Sequence, residues 1–197
     1  MLTKEQIEEK KQEFITLFKE NIKREGADAL LDYMQKSDFF TAPASTKFHC
    51  NYEGGLCEHS ISVFKRLKRM IDAEEKVEAT DETIAICGLL HDVCKANFYK
   101  TQMRNVKENG VWVQQPFFVA EDSLPFGHGE KSVYIINGVM RLSREEAMAI
   151  NWHMGFTDAR AQSGNTLGLA FNKFPLAVIM HSADFLSTYI DENSDLK

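Results

Sequence analysis

Residues 86–95, ICGLLHDVCK, place a histidine and an aspartate inside an apolar stretch. The apolar residues on both sides of His91 and Asp92 have the spacing of a helix that packs against a core. An ionised carboxylate removed from water is costly unless a cation or hydrogen bonds compensate it. Asp92 therefore needs a positively charged partner, and this requirement constrains which segments must fold around it.

The simplest partners lie in the same helix as the carboxylates. Lys95 follows Asp92 by one helical turn and could form an i,i+3 ion pair with it. Asp184, in the apolar segment 175–190 (PLAVIMHSADFLSTYI), could pair with His181 in the same way. Either aspartate, taken alone, is adequately explained by such a pair.

A divalent cation explains the polar residues together. His59, the pair His91-Asp92 and Asp184 lie in three separate predicted helices, each with apolar neighbours. Neutral imidazole and carboxylate suit Zn, Mn, Fe, Ni or Mg, and ligands from several helices converge on such ions inside helical bundles. Their joint occurrence favours a metal site over unrelated ion pairs.

The composition predicts one domain of a cytoplasmic protein. The chain has 197 residues, of which 44% are hydrophobic and 26% charged, as in ordinary globular domains. Its net charge of −6 disfavours general attraction to nucleic acid or anionic lipid.

The charged start does not look like a signal peptide, and no apolar run approaches the roughly 18 residues of a membrane span. The cysteines lack zinc-knuckle spacing and are interpreted as reduced thiols.

Periodicity and capping signals predict a mostly α-helical fold with one β-hairpin. Ser143 with Glu146 has the spacing of a capping box. Asn109-Gly110, between two alternating segments, predicts a two-residue turn and a hairpin over residues 99–119. The predicted helices span residues 3–26, 28–35, 56–78, 81–97, 129–140, 143–152 and 175–190, and the predicted long loops span 37–55 and 154–173.

The order of these motifs resembles that of the HD-domain metal-dependent phosphohydrolases. His59, the pair His91-Asp92 and Asp184 reproduce the family's H…HD…D pattern, and Lys95 adds the H-D-x-x-K spacing. The wider stretches FHCNYEGGLCEHS and LLHDVCK look more specifically like HD proteins related to the catalytic domain of bacterial 3′–5′ exoribonucleases. An HD-domain helical bundle with one inserted hairpin is the fold that this resemblance implies.

The resemblance covers roughly residues 40–190 and implies one HD-type domain for residues 1–197. In that domain, residues 1–36 would form N-terminal helices. Residues 37–192 would form the metal-binding helical core, with the hairpin 99–119 inserted in it.

The family pattern also implies two divalent ions. The implied ligands are His59, His91, Asp92 and Asp184 for the first ion, and His128, His153 and a bridging Asp92 for the second. Relatives often read His-His-Gly where this chain reads His153-Met154-Gly155, so the chain departs from the pattern beside the second set.

Asp92, Lys95 and His49 are the candidate catalytic residues. Lys95 could hold a phosphate oxygen as a point charge, or it could only pair with Asp92. His49, in the long loop before the third predicted helix, could contact phosphate or donate a proton, or it could be a partly exposed loop residue. Arg160 is a further candidate for a phosphate contact.

Such a site would hydrolyse a phosphoester with a metal-activated water. A small phosphorylated substrate, above all a nucleotide, is the leading interpretation. The alternatives are a 3′–5′ exoribonuclease-like nuclease, which the negative net charge disfavours, and a metal-binding or ligand-sensing domain without turnover. The hairpin could wall the site, or it could serve in edge packing or in a contact between copies of the chain, since a homo-oligomer is compatible with the sequence.

Overall fold

The computed structural model describes residues 2–162 and 164–193. Within these ranges the chain forms eight α-helices and one antiparallel β-hairpin, which confirms the predicted mostly α-helical fold with a single inserted hairpin. The helices are α1 (Lys4–Asn21), α2 (Ala27–Lys36), α3 (Gly55–Ala73), α4 (Asp81–Leu90), α5 (His128–Asn137), α6 (Arg144–Asn151), α7 (Thr166–Lys173) and α8 (Pro175–Leu186), and the strands are β1 (Tyr99–Glu108) and β2 (Val111–Ala120). Among these helices, none combines the length and the apolar composition that a bilayer crossing requires.

The core lies between α3, α4 and α8. α3 packs against both α4 and α8, and α6 packs against α8. Leu67, Ile86, Leu89 and Met180 are fully buried in one apolar cluster. Burial of such side chains stabilises a fold by about 1.5–3 kcal/mol each, so this cluster holds the helices at fixed relative positions.

α4 ends earlier than the periodicity predicts, and this end determines where Asp92 lies. The helix stops at Leu90, and a 3₁₀ turn follows over Val93–Lys95. Asp92 has φ −107° and ψ 16°, outside the helical region, and its carbonyl oxygen accepts a hydrogen bond from the Lys95 N–H (2.9 Å). Asp92 therefore lies beyond the end of α4 and is not part of the helix surface. The residue is buried, with only 2% of its surface exposed.

Four other helices end three to five residues before the predicted positions. α5 ends at Asn137 and not at Met140. α1 ends at Asn21 because Ile22 takes an extended conformation (φ −103°, ψ 111°). α3 ends at Ala73 because Glu74 is extended. After α8, Ser187–Asp191 form a π-helical turn instead of further α-helix. After α1, the N–H groups of Lys23 and Arg24 donate to Glu82 Oε1 in α4 (2.7 and 3.1 Å), a tertiary contact that overrides local helix propensity.

The prediction of a loop over residues 154–173 is wrong in its second half, where the chain forms α7. α7 lacks a side-chain N-cap and contains Gly168, and both features lower helix propensity. Its Leu167 and Ala170 pack against Trp152. Tertiary contact stabilises this short helix, so local sequence does not reveal it.

The β-hairpin is mostly solvent-exposed. Glu108 lies opposite Val111 across the Asn109-Gly110 turn. The two turn residues have φ values of 49° and 87°, the conformation for which Asn-Gly is favoured in two-residue hairpins. At the base of the hairpin, the Tyr99 hydroxyl donates to the carbonyl oxygen of Ala44 (3.3 Å), which joins the hairpin to the loop before α3.

Candidate metal centre

Six side chains from five parts of the bundle meet in one place. They are the residues predicted as ligands from the sequence. α3 carries His59, His91 and Asp92 follow the end of α4, α5 begins with His128, His153 follows α6, and α8 carries Asp184. Asp92 lies between the others, and its two carboxylate oxygens face different neighbours.

Asp92 Oδ2 faces the first group of side chains. It lies 3.5 Å from His91 Nε2 and 3.7 Å from His59 Nε2. His59 Nε2 is in turn 3.2 Å from Asp184 Oδ1 and 3.3 Å from His91 Nε2. The ligand atoms of His59, His91 and Asp184 all lie within 4.8 Å of one another, so this group could hold one metal ion.

Asp92 Oδ1 faces the second group. It lies 2.7 Å from His128 Nε2 and 3.5 Å from His153 Nε2. Met154, where the chain departs from the family pattern, lines the same pocket. The structure thus brings together all six predicted residues, in two groups that share one carboxylate.

Backbone carbonyls orient two of the imidazoles. His91 Nδ1 lies 2.9 Å from the carbonyl oxygen of Gly88, and His153 Nδ1 lies 2.7 Å from that of Ile150. A carbonyl oxygen only accepts hydrogen bonds, so each Nδ1 carries a hydrogen and each Nε2 of a neutral ring has a lone pair directed toward Asp92. Burial lowers the pKa of His91 to about 3, which keeps that ring neutral. Lone pairs that face a carboxylate repel it unless a cation lies among them, and this donor chemistry fits a metal ion.

A carboxylate that sequence analysis missed lies beside the third imidazole. Glu192 Oε1 lies 2.8 Å from His59 Nδ1. Burial disfavours a charge on His59, but Glu192 and Asp184 outweigh burial and raise the pKa of His59 to about 10. This part of the centre therefore attracts positive charge. No motif or periodicity in the sequence points to Glu192, which lies beyond the last predicted helix.

Lys95 forms the local ion pair that the sequence left open. Its Nζ lies 2.6 Å from Asp92 Oδ2, and both residues are buried. Burial alone would raise the pKa of Asp92, but the positive charge of Lys95 and the hydrogen bond from His128 outweigh it and hold that pKa well below its usual range. Lys95 is therefore the permanent cation beside the carboxylate in ICGLLHDVCK.

Two other contacts differ from those expected. His181 does not pair with Asp184, since its Nδ1 donates to the carbonyl oxygen of His153 (2.7 Å). Arg160, expected to contact phosphate, lies outside the pocket lining and forms an ion pair with Asp158 (2.5 Å). His181 therefore supports a candidate ligand through the backbone, and the charge of Arg160 is compensated by Asp158 in its own loop and by Glu130 in α5 (2.6 Å).

The centre opens into a pocket of about 860 Å³. His49 lines its wall, and neither ring nitrogen has a hydrogen-bond partner among the described residues. Burial, followed by the positive charges of His59 and Lys95, lowers the pKa of His49 to about 4. Gly55 allows the preceding loop to come this close to α3, because a Cβ at this position would lie 2.0 Å from the carbonyl oxygen of Cys50.

Aromatic side chains surround the mouth of the pocket. Phe48, Phe185 and Tyr189 line it and are 79%, 51% and 57% exposed; we call these three residues the aromatic rim. The ring centroids of Phe185 and Tyr189 are 4.7 Å apart. From the hairpin, Tyr99 alone belongs to the described lining, so the base of the hairpin walls the pocket and its tip does not.

Histidines and aspartates that converge on one pocket inside a helical bundle define a class of metal-binding helical proteins. The family model of the HD domain matches residues 56–184, and the chain belongs to this family. The match ends at Asp184 and includes all six candidate ligands. HD domains bind divalent metals, and the His and Asp groups described above could hold them.

Among curated proteins, the chain is similar to the dihydroneopterin 2′,3′-cyclic phosphate phosphodiesterase of Methanocaldococcus jannaschii. The two are 46% identical over 61 residues, which cover 29% of this chain and 24% of that protein. The similarity thus spans about a quarter of the relative's length. No solved structure matches the chain.

Proposed function

We propose that the protein is a divalent-metal-dependent phosphohydrolase that cleaves a phosphoester of a nucleotide or another small phosphorylated molecule. The observation that carries this proposal is the position of Asp92, whose oxygens lie 2.7 Å from His128 Nε2 on one side and 3.5 Å from His91 Nε2 on the other. Two ions that share a carboxylate form a binuclear arrangement suited to phosphoester hydrolysis. Membership of the HD family and similarity to a phosphodiesterase support the same class.

The proposed ions would be held by residues that the fold already orients. Bound divalent ions supply Lewis-acid stabilisation of phosphoryl charge and lower the pKa of water toward neutrality. The ions would be held by His59, His91 and Asp184 on one side, by His128 and His153 on the other, and by Asp92 between them. Carbonyl partners of the Nδ1 atoms fix the rings of His91 and His153 before any ion arrives, and such partners strengthen metal ligands.

Lys95 and His49 would bind the phosphate. The ammonium of Lys95 lies at the pocket wall, where it can face an incoming phosphate oxygen as a point charge. His49 is neutral at pH 7 because its pKa is lowered to about 4, so it would contribute an N–H donor and not a full positive charge. A buried polar group without a partner is costly, and a phosphate oxygen would supply the partner that the His49 ring lacks among the described residues.

The aromatic rim supports a substrate that carries a planar ring. Exposed aromatic side chains stack on bases and similar ring systems, and a pocket of about 860 Å³ is within the usual range for small-molecule sites. The named substrate of the similar phosphodiesterase joins a ring system to a 2′,3′-cyclic phosphate. We therefore propose a ring-bearing cyclic phosphate, such as a nucleoside 2′,3′-cyclic phosphate, as the first substrate to test. The exoribonuclease-like alternative shares the rim, because bases of single-stranded RNA stack in the same way.

The test is hydrolysis of adenosine 2′,3′-cyclic phosphate by protein purified without chelators and loaded with Mn²⁺. We expect turnover, and we expect Asp92→Asn to reduce it by about 10³-fold, whereas the exposed control Asp32→Asn should leave it unchanged. A short single-stranded RNA is assayed in parallel, and shortening of the RNA without turnover of the nucleotide would favour the nuclease. Metal binding with no turnover of the nucleotide, the RNA or a generic aryl phosphodiester would replace the proposal with a non-catalytic metal-binding domain.

A further inference from the structure

Glu192 has a buried carboxylate to which the proposed function assigns no role. Its side chain is 6% exposed, although it lies close to the end of the described chain. Oε1 is 2.8 Å from His59 Nδ1, and Oε2 accepts a hydrogen bond from Cys50 Sγ (3.3 Å). Both oxygens of Glu192 are therefore used inside the protein, directly behind a candidate metal ligand.

The π-helical turn after α8 brings Glu192 to this position. Its last residue, Asp191, accepts a hydrogen bond from Arg66 Nε (2.8 Å) and forms an ion pair with the same guanidinium. Arg66 follows His59 by two turns of α3, so the two side chains lie on the same face of that helix. The Glu192 N–H also donates to the carbonyl oxygen of Ser187 (3.0 Å). One face of α3 thus binds the turn at two successive residues, Asp191 and Glu192.

His59 differs in this respect from the other two oriented imidazoles. His91 and His153 donate through Nδ1 to neutral carbonyl oxygens, whereas His59 faces a carboxylate. A carboxylate that accepts from Nδ1–H fixes the ring, makes it more basic, and leaves Nε2 to bind a metal ion. His59 Nε2 points toward Asp184 Oδ1 at 3.2 Å, on the side of the ring that faces the centre.

We propose that Glu192 is a positioning residue for His59: it holds the ring with Nε2 directed at the first metal ion and strengthens that nitrogen as a ligand. This inference rests on the metal centre of the proposed function. A competing arrangement comes from His49, His59 and Glu192, whose ligand atoms lie within 4.8 Å of one another and could themselves hold an ion. In that arrangement Glu192 would be a ligand, and the test distinguishes the two roles.

The test is titration of the chelator-treated protein with Co²⁺, followed by the visible absorption of the ion, with the number of bound ions counted by elemental analysis. We expect Glu192→Ala to weaken the tighter Co²⁺ site by 10- to 100-fold, to change its absorption band, and to leave the number of ions at saturation unchanged. Glu192→Gln keeps the acceptor oxygen without the charge, so it should recover part of the affinity and most of the band shape. Glu145→Ala, an exposed carboxylate on α6, is the control and should match the wild type.

Each other outcome has a definite meaning. If Glu192→Ala and Glu192→Gln both match the wild type in affinity and spectrum, Glu192 is not a positioning residue, while the metal centre itself stands. If Glu192→Ala and His49→Ala each lose one ion at saturating Co²⁺, Glu192 is a ligand and the inference is wrong. If the wild type binds no ion, both the inference and the proposed centre are wrong. Should Glu192→Ala fail to fold by circular dichroism, the milder Glu192→Gln variant carries the same comparison.

Discussion

At the residue scale, Asp92 has one permanent cation beside one of its oxygens, and candidate metal ligands face both oxygens. The permanent cation is Lys95, whose Nζ lies 2.6 Å from Oδ2. A buried carboxylate that loses its partner costs about 3–5 kcal/mol. A bound divalent ion can supply the same compensation, so the stability that Lys95 contributes should depend on whether metal is present.

Lys95→Met tests this dependence, because it removes the ammonium and keeps most of the side-chain length. We expect the free energy of unfolding to fall by about 3 kcal/mol in the presence of EDTA and by clearly less with saturating Mn²⁺, as measured by urea unfolding. Lys100→Met, which removes an exposed lysine paired with Glu121, should change neither value. An equal loss of stability with and without metal would show that the ion does not compensate Asp92.

His153 tests whether the two oxygens of Asp92 serve separate ions. Elemental analysis of protein purified without chelators should find about two ions per chain, as in a binuclear centre, and about one in His153→Ala. His59→Ala should lose the other ion, since it lies in the group around Oδ2. If the wild type instead binds about one ion per chain and only His59→Ala abolishes this binding, the centre is mononuclear. Met154 would then mark the loss of the second metal site.

The candidate ligands could be predicted from the sequence because polar residues in apolar segments need partners. His59, His91, Asp92 and Asp184 are conspicuous in this way, and the resemblance supplied His128 and His153. Glu192 could not be predicted, because its contact with His59 spans 133 positions of the chain. It also depends on a π-helical turn that local sequence does not specify.

At the scale of elements, the site depends on how closely α3 and α4 pack. Gly88 in α4 faces α3, and a Cβ at this position would lie 2.5 Å from Phe64 Cα. The Gly88 carbonyl oxygen also accepts from His91 Nδ1 (2.9 Å). Gly88 therefore sets the distance between α3, which carries His59, and α4, which leads to His91. It also orients the ring of His91.

Gly88→Ala should separate the two helices. We expect the free energy of unfolding to fall by about 2 kcal/mol, as in other overpacked cores, and the affinity for Mn²⁺ to fall with it because His59 and His91 move apart. Thermal unfolding and metal titration measure the two effects. Gly138→Ala is the control, since its Cβ would meet only backbone of its own segment, with Ile135 O nearest at 3.2 Å, and would not enter the contact between α3 and α4. Lower stability with unchanged metal affinity would show that the helix contact does not determine the site.

The elements differ in how well local sequence specifies them. Capping signals specify helix starts well: α1 and α6, each with a capping box, begin within one residue of the predicted positions, and α6 also ends within one residue of its predicted end. α7 was missed because packing against Trp152, and not its own sequence, stabilises it. The early end of α4 was missed because Val93 and Cys94 continue the apolar period of the helix, although the backbone tightens there to a 3₁₀ turn.

At the scale of the whole molecule, one arginine outside the pocket lining joins segments that are distant in sequence. The guanidinium of Arg24, just before α2, donates to both carboxylate oxygens of Glu146 in α6 (2.7 and 2.9 Å). It also donates to Glu82 in α4 (3.1 Å). Thr83 Oγ1 donates to Glu146 Oε1 (3.0 Å). This network fixes α6 against α4, and α6 leads directly to His153.

The same network makes stability depend on pH. Burial alone would raise the pKa of Glu146, but hydrogen bonds from Arg24 and from the Ser143 N–H outweigh burial and lower that pKa below its ordinary value. A carboxyl group whose pKa is lower in the folded state contributes stability above its unfolded pKa, and that contribution is lost as the pH falls through the folded pKa. The charged form of Glu146 should therefore stabilise the fold at neutral pH and cease to do so in acid.

Glu146→Gln removes this charge and keeps the shape of the side chain. We expect it to lower the free energy of unfolding by about 2 kcal/mol at pH 7, and we expect the difference from the wild type to shrink as the pH falls below about 4, as measured by urea unfolding across this range. Glu145→Gln, the exposed neighbour in the same helix, should follow the wild type at every pH. If Glu146→Gln and the wild type coincide at pH 7, the network does not stabilise the fold. If their difference persists in acid, the cost of the substitution comes from the altered packing or hydrogen bonding of the amide, and not from the lost ion pair.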